Sequence, residues 1–592
     1  MNPAAVFTVL PVVKVPTVRW FGGCVTHASD GAEYLPGKGV SLLWTAPFPV
    51  WTAETWPSAE VRCAHSGGRA AAVIGVSSAS THELKAWLAD NRANPPPWPG
   101  TYTVVVRDAA GVRVFTDPVH AAPVYYVDTG DAVVWASSSR ALAPLGAGGP
   151  DLEWLASTLC HPTGLSLGRR SAFAGISCVP PGHCLALSQG QQPTVRPWWH
   201  PPEAVPAKDA AAGLRTALTR AVAAHLTSAA HVSCDMSGGL DSTSVTLLAA
   251  ENAAPEQQVT ALTVRPDSME HGGDLDYARA VAQGRTNLPH LVIGLPDEAL
   301  PFAELEETGP SDEPAPTTIT TARHRRAYEH LAHAHSQRHL TGDGGDALLI
   351  PPPVYLRDLL RRGRFLRVVR DVHGWAKLSE TSPWPRAREL LKRAPPTEDP
   401  PAWCTQRSRQ LAARQQETAP PPAACATDTH VIADVRTVAR TARADGQAAE
   451  RFGIRLEAPF LDRSVVEAAL RFGVADRGSP WSYKPQITGA FSDLLPRSVL
   501  ARRTKGGTDP DHHRGLRVHL QDVKHLMRGW LADQGLIHPG RLDAALDAAA
   551  AGMPARFGEI EPAVAAEAWA RAVTTAPAVR WTRRLLTGAE ET

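Results

Sequence analysis

The chain has 592 residues, with 60 lysines and arginines against 59 aspartates and glutamates, which gives a formal net charge of +1. A chain of this length exceeds what one hydrophobic core can organise, so we expect two or three domains. The near-zero net charge provides no global field that would recruit nucleic acid or an anionic membrane. We therefore expect neither as a partner, and any partner must be recognised locally.

The eight cysteines are scattered without a Cys-x-x-Cys pair, a pattern typical of reduced thiols and not of a zinc site or a disulfide framework. Residues 1–20 contain a short apolar run without a cationic lead-in or a small-residue cleavage site. This pattern predicts a strand and not a signal peptide. No uninterrupted apolar stretch reaches the roughly 18 residues that span a membrane, so we expect a cytoplasmic protein.

Residues 1–200 are dominated by short β-type runs that end at Gly, Asp or Ser. The clearest runs are 102–106, 112–115, 124–127 and 132–135. Helical stretches such as 81–91 interrupt them, so we predict an α+β sheet domain. The proline-rich segment 201–206 predicts a linker to a second domain over residues 201–592.

The second region alternates strands with helices. Leu214, Leu218, Val222 and Leu226 recur every four residues on one helix face, and four strands are predicted at 231–235, 259–264, 291–295 and 338–341. This order favours a parallel doubly wound sheet, in which ligands bind at the carboxyl ends of the strands. Beyond residue 351 the chain is mainly helical, and we expect the Pro/Ala-rich stretch 394–424 to be a mobile surface loop.

The most informative motif is Ser-Gly-Gly-Leu-Asp-Ser at residues 237–242, directly after the first of these strands. Two glycines bring backbone N–H groups close to an anion, and the hydroxyls of Ser237, Ser242 and Thr243 add donors at a helix N-terminus. Asp241 suits this loop only if Mg²⁺ lies between its carboxylate and phosphate oxygens. The alternative is an ordinary glycine-rich turn with a helix cap.

A second motif, Thr-Gly-Asp-Gly-Gly-Asp at residues 341–346, follows the fourth predicted strand and therefore lies at the same sheet edge. Asp346 and Asp241 form a plausible pair of Mg²⁺ ligands, since hard oxygen donors suit that ion. The alternative for this motif is a glycine-rich turn with solvated aspartates.

A third motif, Arg-Arg-Thr-Lys-Gly-Gly at residues 502–507, could neutralise charge on a leaving pyrophosphate, although a charge run alone is weak evidence. Lys484 and the run 457–462 give weaker signals still. No lysine in the chain is followed by Ser or Thr, so the Walker loop is absent. The chain is therefore suited to cleavage at the α-phosphate and not at the γ-phosphate.

Taken together, five motifs resemble those of the asparagine synthetase superfamily in the same order over essentially the whole chain. They are residues 237–242, Asp312-Glu313-Pro314, residues 341–346, Pro459-Phe460-Leu461-Asp462 and Arg503-Thr504-Lys505. The resemblance implies an α+β Ntn-hydrolase-like sandwich over residues 1–200, similar to a glutaminase domain. It also implies an α/β ATP-pyrophosphatase domain of the adenine nucleotide alpha-hydrolase-like type over residues 201–592, with a parallel sheet and added helices.

The resemblance also implies roles for individual residues in adenylation of a carboxylate by Mg·ATP and attack of an amine on the acyl-adenylate. Asp241 and Asp346 would bind Mg²⁺, Lys505 would stabilise charge at the α-phosphate, and Asp343 would assist deprotonation of the amine. The expected ATP-binding residues are Ser237, Gly238, Gly239, Asp241, Ser242, Thr243, Val264 and Gly342.

Glutamine-hydrolysing relatives need a cysteine as the mature first residue, because its α-amine activates its own thiol. Here the chain begins Met1-Asn2-Pro3 and Cys24 lies well inside it. We therefore expect an inactive glutaminase domain and an amine supplied by the substrate itself.

Two branches of the superfamily also lack this cysteine, the β-lactam-type synthetases and the lasso-peptide cyclases. The cyclases are the better match to three segments, which are residues 341–349, residues 503–506 and the Pro/Ala-rich insertion. In addition, β-lactam enzymes would be expected to carry Tyr at position 343, where this chain has Asp.

The sequence thus predicts an ATP-dependent lasso-peptide cyclase. It would adenylate an Asp or Glu side chain of a core peptide and join it to the peptide's N-terminal amine, releasing AMP and pyrophosphate. A leader peptidase and a leader-recognition protein would be its partners. The alternatives are a β-lactam-type synthetase, an asparagine synthetase, and a non-catalytic nucleotide-binding scaffold.

Overall fold

The computed structural model describes residues 18–28, 32–37, 39–53, 56–90, 94–162, 168–267, 272–380, 382–384, 399–414, 425–502 and 509–585. Lys505, predicted as the catalytic lysine, and the predicted strand residues 1–17 lie outside these ranges. Within the described ranges, no helix is long and apolar enough to cross a membrane.

Two antiparallel sheets occupy the first third of the described chain. The first thirteen strands are β1 (Trp20–Thr26), β2 (Ala32–Pro36), β3 (Val40–Trp44), β4 (Val50–Ala53), β5 (Val61–Ser66), β6 (Arg69–Gly75), β7 (Tyr102–Asp108), β8 (Gly111–Phe115), β9 (Tyr125–Asp128), β10 (Ala132–Ala136), β11 (Ser177–Cys178), β12 (His183–Leu187) and β13 (Thr194–Pro197). One six-stranded sheet has the order β11-β9-β10-β1-β4-β3, and the other has the order β13-β12-β8-β7-β6-β5.

Apolar side chains alternate between the two faces of the central strands, so each sheet buries one face against the other sheet. On β7, Val105 packs into the core between the two sheets, whereas Val104 and Val106 face the opposite side. Helix α1 (Thr81–Ala89) covers that opposite side with Trp87 and begins at a capping box between Ser80 and Glu83. The strands predicted for this region are therefore buried on both faces, with a helix packed on the outer face, as expected for an α+β domain.

The other sheet is covered by two short helices, α2 (Ser139–Leu142) and α3 (Leu152–Cys160). The Asp151 side chain accepts hydrogen bonds from the first backbone N–H groups of α3, which fixes where that helix begins. Trp154 and Leu155 of α3 are buried in the same core cluster as Val134 of β10. The first region is therefore a four-layer arrangement of helix, sheet, sheet and helix.

The second region contains the predicted parallel sheet. Its strands are β14 (His231–Asp235), β15 (Gln258–Pro266), β16 (His290–Leu295), β17 (Arg338–Leu340) and β18 (Arg455–Glu457), in the order β16-β15-β14-β17-β18. All of the neighbouring pairs are parallel. The four predicted strands are present, and β18 is an addition that the sequence patterns did not indicate, because only three of its residues are extended.

Helices cover both faces of this sheet. They are α4 (Ala207–Leu226), α5 (Leu240–Asn252), α6 (Gly273–Ala282) and α7 (Thr321–His333). The predicted helix face of Leu214, Leu218, Val222 and Leu226 is buried against α5 and the sheet. The helix predicted over 317–336 is shorter, because residues Pro316–Thr320 form a 3₁₀ turn before α7 begins.

The remainder of the described chain is mainly helical, as expected. Its helices are α8 (Gly345–Leu349), α9 (Tyr355–Arg361), α10 (Phe365–Leu378), α11 (Gln406–Ala413), α12 (Ala426–Glu450), α13 (Arg463–Leu470), α14 (Pro485–Ala490), α15 (Arg497–Ala501), α16 (Asp509–Leu526), α17 (Trp530–Asp533), α18 (Pro539–Ala550) and α19 (Phe557–Thr575).

The interpretation of residues 394–424 as a mobile loop is wrong for the part that the structure describes. Helix α11 lies inside this stretch and begins at Thr405, whose side chain caps it. Trp403 and Cys404 are buried in a cluster that also contains Cys160 of α3. The high Pro and Ala content hid this helix, because its anchoring residues are few and its packing partner is distant in sequence.

The last described strand, β19 (Trp581–Leu585), pairs antiparallel with β2. The Trp581 ring lies 5.7 Å from that of Trp20 and 6.2 Å from that of Trp51. Contacts therefore cross the boundary predicted near residue 200, since the end of the chain returns to the first region.

A buried ionic cluster joins the two regions. Both carboxylate oxygens of Glu60, which is 3% exposed, bind guanidinium groups at the parallel sheet, one from Arg338 on β17 and one from Arg455 on β18. Arg19 lies 3.6 Å from the same carboxylate. Because buried charges are costly unless they are paired, this contact fixes the first region against one end of the parallel sheet.

The first prediction concerns this cluster. Glu60→Gln leaves the buried guanidinium of Arg338 without a carboxylate, whereas Arg455 keeps Glu457 at 3.3 Å, so we expect a loss of about 3–5 kcal/mol in the free energy of unfolding. The midpoint of urea unfolding should fall accordingly. The matched control is Glu251→Gln at the exposed end of α5, which should leave the midpoint unchanged. Equal midpoints for the two variants would show that the cluster does not stabilise the fold.

Candidate active site

The first predicted loop lies between β14 and α5 at the carboxyl edge of the parallel sheet. Gly238 has φ of +68°, and a Cβ at this position would collide with the side chain of Tyr277. The Ser237 and Ser242 hydroxyls lie 2.9 Å apart, and Ser242 Oγ also accepts from the Ser237 backbone N–H. The loop is therefore held closed directly at the N-terminus of α5, where backbone donors favour an anion.

The second predicted loop connects β17 to α8 and touches the first. A Cβ on Gly342 would lie 2.8 Å from the Ser242 backbone nitrogen, and a Cβ on Gly345 would overlap the Asp241 carboxyl group. Any larger residue at either position would push the loops apart. Glycine at 342 and 345 is thus what allows Asp241 and Asp346 to reach the same place.

The side chain of Lys484 lies between these two aspartates. Its ammonium binds Asp241 Oδ2 and lies 2.6 Å from Asp346 Oδ1. Lys484 is 2% exposed and has φ of +44°, a left-handed conformation directly before the first turn of α14. Burial alone would lower the pKa of Lys484, but the charges of Asp241 and Asp346 outweigh it and raise that pKa. The ammonium therefore stays charged and neutralises the pair.

This arrangement bears on the predicted Mg²⁺ site. Two carboxylates from separate loops converge on one cation position beside the phosphate-type loop, which is the donor set that a hard divalent ion uses together with phosphate oxygens. The residues present fit Mg²⁺ on that ground, although the cation at this position is the Lys484 ammonium. Among the described residues, no cluster of three or more His, Cys, Asp or Glu side chains could hold a metal without such additional oxygens.

A cavity of about 420 Å³ opens at the two loops. Of the predicted ATP-binding and catalytic residues, those lining it are Ser237, Gly239, Asp241, Ser242, Val264, Gly342, Asp343 and Asp346. Gly238 and Thr243 are not among the described residues that line it. Thr243 is fully buried beneath the loop, with its hydroxyl 4.0 Å from the sulfur of Met236.

Arg502 adds a second cation to this cavity. It donates to the Ser237 carbonyl oxygen at 3.3 Å and pairs with Asp274, while its guanidinium lies 4.5 Å from the centre of the Tyr277 ring. Together with Lys484 it places positive charge on two sides of the loop. The cavity is therefore suited to a polyphosphate group.

Two further carboxylates lie near the loops, Asp343 in this cavity and Asp445 in a neighbouring one. Asp343 accepts a hydrogen bond of 2.9 Å from the Thr341 hydroxyl. Asp445 of α12 accepts one of 2.6 Å from Thr317 and lines a second cavity of about 170 Å³ with Tyr328. Burial, together with the charge of Asp343, raises the pKa of Asp445 to about 7. A carboxyl group with this pKa can exchange a proton near neutral pH.

Other motif residues lie away from the cavity. Asp312 is 1% exposed and accepts from the Ser138 hydroxyl at 2.6 Å and the Arg140 backbone N–H at 3.0 Å, both in the first region. Glu313 pairs with Arg440 at 2.5 Å. Asp462 accepts from the backbone N–H of Gly100 and caps α13. Asp312 and Asp462 therefore join the two regions of the chain.

The sequence patterns gave Lys484 little weight and missed Asp445 entirely. Lys484 lies between Tyr483 and Pro485, without the adjacent glycines that mark a phosphate-binding loop. Asp445 lies in a 25-residue helix that has many other polar residues, so nothing in the sequence sets it apart. The one local signal is Pro485, which predicts a helix start at Lys484 but no function for it.

Comparisons with known proteins identify the second region. The family model described as asparagine synthase matches residues 213–571, whereas a search of curated proteins found no match. A solved structure of "the allosteric regulatory enzyme of purine biosynthesis" is 10% identical, with 48% of this chain and 82% of that chain covered and a TM-score of 0.21. Glutamine phosphoribosylpyrophosphate amidotransferase from B. subtilis, complexed with ADP and GMP, is 13% identical, with 55% and 81% covered and a TM-score of 0.20. TM-scores this low do not establish a shared fold.

The second prediction concerns Lys484. Lys484→Ala leaves the carboxylates of Asp241 and Asp346 facing an incoming polyphosphate without the ammonium between them. Losing one or two hydrogen bonds to a charged group should raise the Kd for ATP by about 10–100-fold. Isothermal titration calorimetry measures this, with Lys208→Ala on the exposed start of α4 as the control. ATP binding as tight as that of the unchanged protein would exclude a role for Lys484 in holding the phosphates.

Proposed function

The chain belongs to the asparagine synthase family, and we propose that it is a lasso-peptide cyclase. Membership of this family makes it an ATP-dependent ligase that forms amide bonds. It would adenylate an Asp or Glu side chain of a core peptide, and the N-terminal amine of the same peptide would attack to close a macrolactam ring. AMP and pyrophosphate would be released. A leader peptidase and a leader-recognition protein would supply the core peptide in the cytoplasm.

The observation that carries the proposal is the pair Asp343 and Asp445. Asp343 lines the cavity at the two loops, Asp445 lines the adjoining cavity, and the two are close enough for one charge to shift the pKa of the other. Paired carboxylates attract a primary ammonium group and can remove its proton. A substrate that carries its own amine could use both cavities, with its activated carboxyl group in the first and its amine beside Asp445.

The cysteines of residues 18–200 support an amine that does not come from glutamine. Burial raises the pKa of Cys24 to about 12 and also raises the pKa values of Cys63, Cys178 and Cys184. The hydrogen bond from Cys404 lowers the pKa of the Cys160 thiol, but that thiol is buried. None of these described thiols therefore combines a lowered pKa with exposure to a substrate, as a nucleophile requires.

In the first step, a carboxylate oxygen of the peptide attacks the α-phosphorus of ATP and pyrophosphate leaves. The Ser237 and Ser242 hydroxyls and the N-terminus of α5 would hold the departing oxygens, and Lys484 and Arg502 would offset their charge. Asp241 and Asp346 are the residues that would hold Mg²⁺, which when bound supplies further charge neutralisation at the phosphates. Lys505, outside the described residues, is proposed to stabilise the α-phosphate.

In the second step, the N-terminal amine attacks the acyl carbon and AMP leaves. The amine must first lose a proton to become a nucleophile. Asp445 could accept that proton directly or through Asp343, since its raised pKa makes it a stronger base than an ordinary carboxylate. The Thr341 and Thr317 hydroxyls orient the two carboxylates by donating to them.

The third prediction tests the reaction. With ATP, Mg²⁺ and a synthetic core peptide, we expect AMP and pyrophosphate in equal amounts and a peptide lighter by one water. Lys505→Ala should abolish ring closure while ATP binding remains, and Lys208→Ala should behave like the unchanged protein. Mass spectrometry and an AMP assay give both readouts.

AMP formation with aspartate and ammonia, and none with any candidate peptide, would instead identify an asparagine synthetase. AMP formation with a small carboxyethyl amino acid would identify a β-lactam-type enzyme. The absence of AMP with every substrate, combined with tight ATP binding, would identify a nucleotide-binding scaffold. Each of these results would overturn the cyclase proposal.

The fourth prediction follows from the pKa of Asp445. A carboxyl group with a pKa of about 7 is protonated below that pH and cannot accept a proton, so kcat should rise as the pH increases through about 7. Asp445→Asn should remove this rise and lower kcat by about 100-fold or more. Asp434→Asn, at an exposed position of the same helix, is the control. An unchanged pH profile in Asp445→Asn would exclude Asp445 as the base.

A further inference from the structure

The outer surface of α10 combines exposed apolar side chains with arginines. Phe365, Leu366 and Val369 are 61%, 89% and 70% exposed, which is unusual for three neighbouring apolar residues on one helix face. Leu378, the last residue of the helix, and Trp384, beyond it, are 62% and 73% exposed. Isolated exposed apolar residues are common, but a row of this kind indicates a contact surface.

The charge of this surface is one-sided. Between residues 361 and 380, the exposed cations are Arg361, Arg362, Arg364, Arg370 and Lys377, whereas the exposed carboxylates comprise only Glu380. The other acidic residue of this segment, Asp371, is completely buried. Because the whole chain carries a net charge of only +1, this excess of positive charge is a local feature and not part of a global positive field.

The exposed row is not a consequence of a loosely held helix. On the inner face of α10, Asp371 accepts 2.6 Å and 3.1 Å hydrogen bonds from Arg367 and the Tyr355 hydroxyl. Val368 and Val372 pack into a buried cluster with Leu359 of α9. The buried cluster and these hydrogen bonds hold the inner face of α10 in place. The opposite face, with Phe365, Leu366 and Val369, is therefore held towards solvent.

Cations lie close to the apolar residues of α10. The Arg370 guanidinium lies 5.4 Å from the centre of the Trp481 ring, and Arg370 directly follows Val369 in sequence. Arg364 directly precedes Phe365, and Arg362 lies three residues before it. Side chains of this type place an apolar stem beside hydrocarbon and a charged end at the level of phosphate groups.

We propose that the α10 surface, residues 361–380, binds the surface of a membrane that contains anionic phospholipids. The helix lies along the bilayer, Phe365, Leu366 and Val369 enter the acyl region, and the arginines bind lipid phosphates. A bilayer suits this face because it supplies both an apolar layer for the exposed side chains and negative charge for the arginines. The proposal departs from the expectation of no membrane partner, which rested on the net charge of the whole chain.

The surface leads towards the active site. Gly374 of α10 approaches the ring of Trp481, and Trp481 lies three residues before Lys484. Trp481 therefore links α10 to the segment that carries Lys484. Membrane binding by the α10 surface does not depend on which amide the enzyme forms, so its test is separate from the tests of the proposed reaction.

The test is flotation of the full chain with large vesicles, one set of phosphatidylcholine alone and one of phosphatidylcholine mixed with phosphatidylglycerol. The unchanged protein should float with the anionic vesicles and not with the neutral ones, and raising the salt concentration should release it. Both Leu366→Ser/Val369→Ser and Arg362→Glu/Arg364→Glu should lower the bound fraction at least about tenfold.

Matched controls use exposed residues elsewhere. Leu42→Ser/Val518→Ser removes two exposed apolar side chains outside the surface, and Arg196→Glu/Lys208→Glu reverses two exposed charges. Both should bind anionic vesicles like the unchanged protein, and all variants should keep its thermal unfolding midpoint. Failure of the unchanged protein to bind anionic vesicles would overturn the proposal and leave a protein partner for this surface. Equal binding by the α10 variants and the controls would also overturn it.

Discussion

The close approach of two loops at the carboxyl edge of the parallel sheet is the constraint on which the active site depends. Gly342 and Gly345 leave no room for a side chain against α5, and this brings Asp346 beside Asp241. Two carboxylates this close would repel each other and one would take up a proton. The ammonium of Lys484 lies between them and offsets this repulsion, which lets the two side chains converge on one cation position.

The first region of the chain is tied to this site through buried polar contacts. Glu60 binds guanidiniums on β17 and β18, and β17 is the strand that leads into the second loop. Asp312 accepts hydrogen bonds from Ser138 and Gln447, and so joins the loop after β10 to α12. Because α12 also carries Asp445, the first region helps to position the proposed base. A region without glutaminase activity would still have this structural role.

Asp445 illustrates how burial can prepare a carboxylate to act as a base. It is held by Thr317 beside Tyr328, while Asp343 borders the open cavity and accepts from Thr341. Burial, together with the charge of Asp343, raises the pKa of Asp445 to about 7, and a base with a pKa near the working pH is suited to proton transfer. The proposed ring closure uses this raised pKa, since an amine enters as an ammonium ion and must leave its proton behind.

The sequence by itself determined the local features of this protein. Alternating apolar residues predict the strands, because each strand must bury one or both faces, and glycine-rich turns after strands predict loops 237–242 and 341–346. The order of motifs predicted the family, and the family match over residues 213–571 confirms it. These features depend on neighbours within a few residues, which is why they can be read without a structure.

Only the tertiary structure decided which distant residues meet. Lys484 is 243 positions from Asp241 in sequence, and no local pattern marks that pairing. The buried position of Thr243, the helix within residues 394–424, and the exposure of Phe365 and Leu366 depend on what packs beside them. The physical reason is that burial and ion pairing are properties of the assembled chain, whereas backbone propensity and periodicity belong to each segment.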